Sequence, residues 1–236
     1  MQSDAIHCLA DVEDHHWWFR ERRKLLAREL RRLRPPGRAL DLGAAGGGNT
    51  RVLIEHGWDT LAGDFSEAAV QIALDRGVNA IHLDARALPL ASGQFDLVTA
   101  FEILEHIDED QLAAAEIRRV LRPGGTALIT VPCDMRLWSA HDVAVGHVRR
   151  YTRQTIATLI EGAGLVIDRL WSWNVLLRPA VAIRRRYSTG CDIVRTSRLL
   201  DSALYAVIVA ERYLPVKSLS GVSLILRAHR PGGPGR

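Results

Sequence analysis

Leu40-Asp41-Leu42-Gly43-Ala44-Ala45-Gly46-Gly47-Gly48-Asn49 is the stretch that decides the fold. A short apolar run, Arg38 to Leu42, enters a glycine-rich turn, and a helix-like stretch from Asn49 to His56 leaves it. Glycines between a strand and a helix let the backbone approach a ligand closely at the carboxyl end of a sheet. Outward from this turn, apolar strand runs and helix-length runs alternate. Strands are expected at Asp59 to Gly63, Ala80 to Leu83, Phe95 to Phe101, Thr126 to Val131, Leu165 to Trp171 and Val222 to Arg227. Helices are expected at 15–34, Ser66 to Arg76, Asp108 to Leu121 and Thr152 to Gly164, and 174–214 reads as mostly helical. Such repeated alternation predicts an α/β, doubly wound, mostly parallel sheet.

Three successive strands each carry an acid near their carboxyl ends: Asp41, Asp64 and Asp84. An acid at the end of the second strand is suited to bind two ribose hydroxyls. The row as a whole suits a ligand with an amine, a ribose and an adenine laid across the strand ends. A nicotinamide dinucleotide is disfavoured, because Gly43 with Gly46 or Gly48 does not keep the G-x-G-x-x-G spacing that seats a pyrophosphate.

With these residues in view, the chain resembles the class I S-adenosylmethionine-dependent methyltransferases of small-molecule type. LDLGAAGGGNT is similar to the family's first motif, FDLVTAFEILEHI to its fourth-strand motif, and RRVLRPGGTALITVP to the turn and strand that follow. The resemblance implies a Rossmann-like sheet whose last strand is antiparallel. It implies S-adenosyl-L-methionine as cofactor. Gly43, Ala45 and Gly47 fall on the family's three glycine positions, with Ala45 a departure at the middle one. The resemblance also places Asp41 near the cofactor's amine, Asp64 on the ribose, Phe65 beside the adenine, and Asp84 with Ala85 at the adenine edge. Phe101, ending the fourth strand, joins that set. A methyltransferase acting on a small-molecule acceptor is therefore expected, at oxygen or nitrogen rather than carbon, in biosynthesis. A catalytically silent scaffold of the same fold is the alternative.

Acceptor-side residues are sought beyond strands four and five. Glu102, Glu105 and His106 follow the fourth strand; the resemblance implies that Glu105 and His106 are structural or near the cofactor, the alternative being caps of the next helix, and Glu102 is the one nearer the reacting methyl. The stretch Trp138 to Thr152 holds His141, Asp142, His147, Arg150 and Tyr151, and polar loops over a rigid sheet are where substrate groups collect. It resembles the H-D-x-x-x-G-H-x-R-R-Y-T stretch of ubiquinone-type and related methyltransferases. His147 or His141 is the expected general base, since imidazole titrates near neutral pH. Trp18, Glu102, Trp138, Asp142, Arg150 and Tyr151 are the expected substrate contacts. The competing reading is that His147, Arg150 and Tyr151 pin the loop to the sheet, with Thr152 as a helix N-cap. No metal is expected, because His141, Asp142 and His147 follow no recognised ligand spacing.

Charge divides the chain. Residues 37–133 sum to net −7 and residues 174–236 to net +8, within an overall +4. Only Lys24 and Lys217 are lysines, and an arginine bias of this kind is weak evidence for nucleic acid, so none is expected as partner. Three cysteines without paired spacing exclude a disulfide framework. No apolar run reaches membrane-spanning length, and the polar opening residues do not resemble a secretory leader. A cytoplasmic protein is expected. Four segments follow: 1–36, a helical lid; 37–173, the cofactor-binding core; 174–214, a helical insertion; and 215–236, the last strand and a flexible tail. The lid reading rests on His15-His16-Trp17-Trp18-Phe19, whose aromatics would exclude water from the sulfonium. The insertion reads as a substrate cap, a homodimer or partner surface, or, less favoured, a membrane contact through Arg184-Arg185-Arg186.

Overall fold

The computed structural model describes residues 12–33, 35–191 and 197–232. In chain order the elements are α1 (Trp17–Leu30), β1 (Arg38–Leu42), α2 (Gly48–Glu55), β2 (Asp59–Asp64), α3 (Glu67–Asp75), β3 (Ala80–His82), β4 (Phe95–Phe101), α4 (Asp110–Val120), β5 (Leu121–Pro132), α5 (Ala140–Val145), α6 (Arg153–Gly162), β6 (Val166–Trp173), α7 (Arg178–Arg186), α8 (Arg198–Ala210) and β7 (Ser223–His229). The strands form one seven-stranded sheet in the order β3-β2-β1-β4-β5-β7-β6. Neighbours from β3 through β5 pair in parallel, and β7 runs antiparallel to both β5 and β6. Strand order reverses between β1 and β4, so the carboxyl ends of β1, β2 and β4 open onto one crevice, where α/β folds bind ligands.

The central strands have apolar side chains on both faces because helices cover both faces. On one side Leu40, Val98, Ala100, Ile129 and Leu226 pack against Ala113, Ile117, Ile156 and Ile160 of α4 and α6. On the other, Ala39, Leu97, Phe101 and Leu128 meet Leu26 and Leu30 of α1 and Leu53 of α2. The apolar stripe of α1 thus seals one face of the sheet.

Two stretches differ most from the sequence expectation, each for a local reason. Pro123-Gly124-Gly125, expected to lie between helix and strand, belongs to β5, which begins at Leu121. The register shifts there, Phe95 facing Leu121 and Leu97 facing Thr126, so the extra residues are absorbed as a bulge. Gly124 adopts φ 78° within it. The loop after β5 contains a helix, α5, that was expected to be irregular. Ser139 and Asp142 close a capping box at its start, and Gly146 ends it at φ 81°. The segment 174–214 resolves into α7 and α8. Part of the expected lid, residues 1–11, and the end of the expected tail, from 233 on, lie outside the described residues.

The N-terminal helix and the insertion are tied to each other. Trp17 N donates to Asp201 Oδ1 at 2.8 Å, Arg20 pairs with Asp201 at 3.2 Å, and Arg212 pairs with Glu21. Trp17, Trp171, Trp173, Leu177 and Ile208 form a separate apolar cluster at this junction. Among the described residues, no helix is long and apolar enough to cross a membrane.

Candidate active site

The glycine turn is held by β2. Gly43 N and Ala44 N donate to Gly63 O at 2.8 and 3.2 Å, which folds the chain back over the neighbouring strand. Gly43 has φ 68°, and a Cβ there would overlap the Ile103 side chain, so glycine is required twice over. Ala45 also lies in the left-handed region, at φ 45°, a conformation that favours glycine. Its N–H donates to Asp64 Oδ2 at 2.9 Å, a charge-assisted bond that helps hold the strained residue in place. Gly47, at φ 80°, caps α2.

The three acids have different environments. Asp41 is buried, and its two oxygens accept from Thr50 Oγ1 and Thr99 Oγ1, each at 2.6 Å. Burial pushes its carboxyl up to about 6, against the pull of the two hydroxyls. Asp41 therefore braces the turn from beneath. Asp64 is half-buried, with Oδ2 on Ala45 N and Oδ1 on Ser66 N at 2.9 Å. One bond at each oxygen leaves each with further acceptor capacity. Beside it Phe65 is 69% exposed, an apolar face open to a ligand, with His82 at 5.9 Å. Asp84 is held by Arg86, whose guanidinium bonds both its oxygens and continues to Glu109. Those bonds to Arg86 hold the Asp84 carboxyl below the usual carboxylate range. Ala85 follows, half-buried. Phe101, expected to face the cofactor, is instead buried beneath α1 with Leu26, Leu53 and Leu128, so its side chain is core.

Two features over this crevice escaped the sequence reading. Glu13 is buried against the turn: a Cβ on Gly48 would overlap its carboxylate, and Arg76 bridges its Oε2 (3.2 Å) to Gly46 O (2.8 Å). No spacing signal marks Glu13, since it reaches the turn from the far side of α1. The second is the position of Trp18, which packs on Trp173 at 4.5 Å rather than over the glycine turn.

Beyond β4, Glu102 takes φ 58° and its N–H donates to Thr130 O at 2.9 Å, turning the chain across the end of β5. Glu105 follows on a short 3-10 turn and is fully buried. Burial, and then the adjoining Glu102 carboxylate, push the Glu105 carboxyl well above its usual range. The β5–α6 loop folds onto this turn: Val148 N donates to Glu105 O at 2.8 Å. It brings His147 with it, so His147 Nε2 stands 3.7 Å from Glu105 Oε1 and its ring 4.8 Å from that of His106. Packing around its ring, and the positive charge His147 can carry, hold His106 down at about 4.

Asp142 organises this loop. It is fully buried and accepts from His147 Nδ1 (2.8 Å), Arg150 Nε (2.8 Å), Arg185 Nη1 (3.2 Å) and Ser139 N (3.0 Å). Burial alone would raise its carboxyl, but His147 and Arg150 outweigh that and hold it low. Arg150 is buried too, and also donates to Cys133 O at 3.0 Å. Tyr151 is buried, with its hydroxyl on Asp110 Oδ2 at 2.7 Å. Thr152 caps α6. Asp142, Arg150 and Tyr151, expected as substrate contacts, are thus buried internal struts, and for Arg150 and Tyr151 the competing reading, that they pin the loop, fits better. His141 is buried behind His147, ring centroids 6.1 Å apart. His147, Glu102 and Trp138 remain half-buried.

Residues 40–129 match the model of a methyltransferase domain. The matched stretch runs from β1 into β5, the part of the sheet that carries the glycine turn. The methyltransferase motifs matched are those of the glycine turn and of β4 and β5. The chain is 35% identical over 136 residues to a malonyl-[acyl-carrier protein] O-methyltransferase of Enterobacter lignolyticus, covering 53% of each chain. It is 35% identical over 97 residues to a demethylmenaquinone methyltransferase of Renibacterium salmoninarum, covering 40% of this chain and 41% of that one. The match thus spans about half the length, or less, of these relatives. Among solved structures, the [4+2]-cyclase SpnF superposes with a TM-score of 0.61 at 23% identity, covering 90% of this chain and 81% of that one. That likeness is one of fold.

Proposed function

We propose that this protein is a class I S-adenosylmethionine-dependent methyltransferase that transfers a methyl group to oxygen or nitrogen of a small-molecule acceptor. The observation that carries the proposal is Asp64, fixed by the turn's own Ala45 N–H and still holding free acceptor capacity beside the exposed Phe65. That arrangement fits a ribose with two hydroxyls and an adenine to its side. The cofactor supplies an activated methyl on a sulfonium, and the protein's part is alignment and exclusion of water.

In this reading Asp64 and Phe65 hold the nucleoside, and the backbone of Gly43 to Gly47 approaches the methionine part. Glu13 places a carboxylate over the turn, where a cationic amine and sulfonium are stabilised. Asp41 keeps the turn in shape without touching the ligand. The acceptor lies beyond β4 and β5, against Glu102, Trp138 and His147. His147 takes the acceptor's proton on Nε2, because Asp142 holds its Nδ1. His141 sits too deep to do so. By name, one relative is an O-methyltransferase acting on a malonyl-[acyl-carrier protein] and the other acts on demethylmenaquinone; the first supports an oxygen acceptor for this chain.

Turnover assays with S-adenosylmethionine and a panel of carboxylates, phenols and amines test the proposal. Release of S-adenosylhomocysteine that depends on an acceptor supports it. Cofactor binding without turnover on any acceptor favours the silent scaffold.

A further inference from the structure

Two features of the β4 end are given no role by the proposed cofactor contacts. Glu105 is fully buried, yet neither of its carboxylate oxygens has a hydrogen-bond donor. The buried Oε1 of the adjoining Glu102 also lacks one. Carboxylates buried together need a shared proton or a cation. Two imidazoles supply what a proton would not use. His106 Nδ1 is bonded to Gly146 O at 3.1 Å and His147 Nδ1 to Asp142 Oδ1 at 2.8 Å. In each ring a hydrogen bond at Nδ1 to an acceptor leaves Nε2 as the free lone pair, the arrangement that orients metal-ligating histidines. Glu105, His106 and His147 each offer one donor atom, all within 4.8 Å of one another.

We infer that Glu105, His106 and His147 bind a divalent first-row transition cation such as Mn2+, Co2+ or Zn2+, with Glu102 beside them. The mixed nitrogen and oxygen donors disfavour Mg2+ and Ca2+, which take oxygen ligands. The ligands come from two loops, the turn after β4 and the loop after β5, so a cation would lock them together at the acceptor end of the crevice. A ligated Nε2 no longer accepts a proton, so cation binding withdraws His147 from the base role. The expectation of no metal rested on His141, Asp142 and His147; the fold selects a different trio, and Asp142 becomes the support of a ligand instead of a ligand.

The test uses the full chain, stripped with a chelator and titrated with Co2+ by visible absorption and with Zn2+ by calorimetry. We expect one Co2+ per chain, with the absorption of a four- or five-coordinate nitrogen–oxygen site. His106→Ala and His147→Ala should each weaken binding at least tenfold, and excess Mg2+ should not displace Co2+. His106 lies at the surface on a short 3-10 turn, with one side of its ring against the loop and one bond to Gly146 O, so its variant preserves folding if Glu105→Gln does not. Absence of Co2+ binding, or binding unchanged by His106→Ala, overturns the inference and leaves the shared proton as the state of Glu102 and Glu105. Because no cofactor is present, these outcomes are independent of whether the protein transfers methyl groups.

Discussion

The two ends of the crevice are built differently. At the β1–β2 end most of the ligand-facing parts are consecutive, a strand, a glycine turn and one carboxylate on the next strand to hold that turn, with Glu13 added from the segment before α1. At the β4–β5 end they converge from afar, Glu105 from a 3-10 turn and His147 from a loop some forty residues on. The first end depends on backbone conformation, the second on a buried ionic network centred on Asp142. Local construction gives a site that tolerates change in its surroundings. Convergent construction makes one buried residue responsible for several others.

Asp142→Ala tests the convergent end hardest. It strands the buried Arg150, and removing one partner of a buried pair costs about 3–5 kcal/mol. Urea unfolding should show a loss of that size, and a loss under about 1 kcal/mol would mean that Asp142 is not the hub. Asp41→Asn probes the other end. Asp41's carboxyl is raised by burial to about 6, so the folded state binds its proton more tightly than the unfolded chain. Its contribution is fully present below about pH 4 and is lost as pH rises through 6, a change of about 3 kcal/mol. Stability of the wild type measured from pH 4 to 7 should decline through that window more steeply than that of Asp41→Asn. Equal slopes would contradict the brace assigned to Asp41. Ser139→Ala is the mildest change. It removes one half of the α5 capping box and should cost about 1 kcal/mol, with cofactor affinity unchanged. A loss of cofactor affinity would show that the two ends are coupled.

The same contrast explains what was legible in the sequence. Strand β4 lies at its expected residues, because a run apolar on both faces has a single reading in a covered sheet. Ser66 caps α3 as expected. The glycine turn was legible because its demands on φ are local. Phe101 was misplaced because periodicity marks a buried residue without saying which layer buries it. Asp142 reads as a substrate contact, and Arg150 and Tyr151 as either substrate contacts or pins of the loop; the sequence does not choose, because their partners, Arg185, Cys133 and Asp110, are brought to them only by the fold. The α5 helix carried a visible Ser-x-x-Asp capping signal, outweighed by the polarity of the loop around it. Glu13 had no local signal at all.

The central claim is that the glycine turn and Asp64 bind S-adenosylmethionine. Calorimetric titration of the purified chain with that cofactor tests it most directly, run beside Asp64→Ala. The account predicts one equivalent bound to the wild type and at least tenfold weaker binding to the variant, about 1.4 kcal/mol or more. No binding to a folded wild-type chain, or equal affinity in the two proteins, would contradict it.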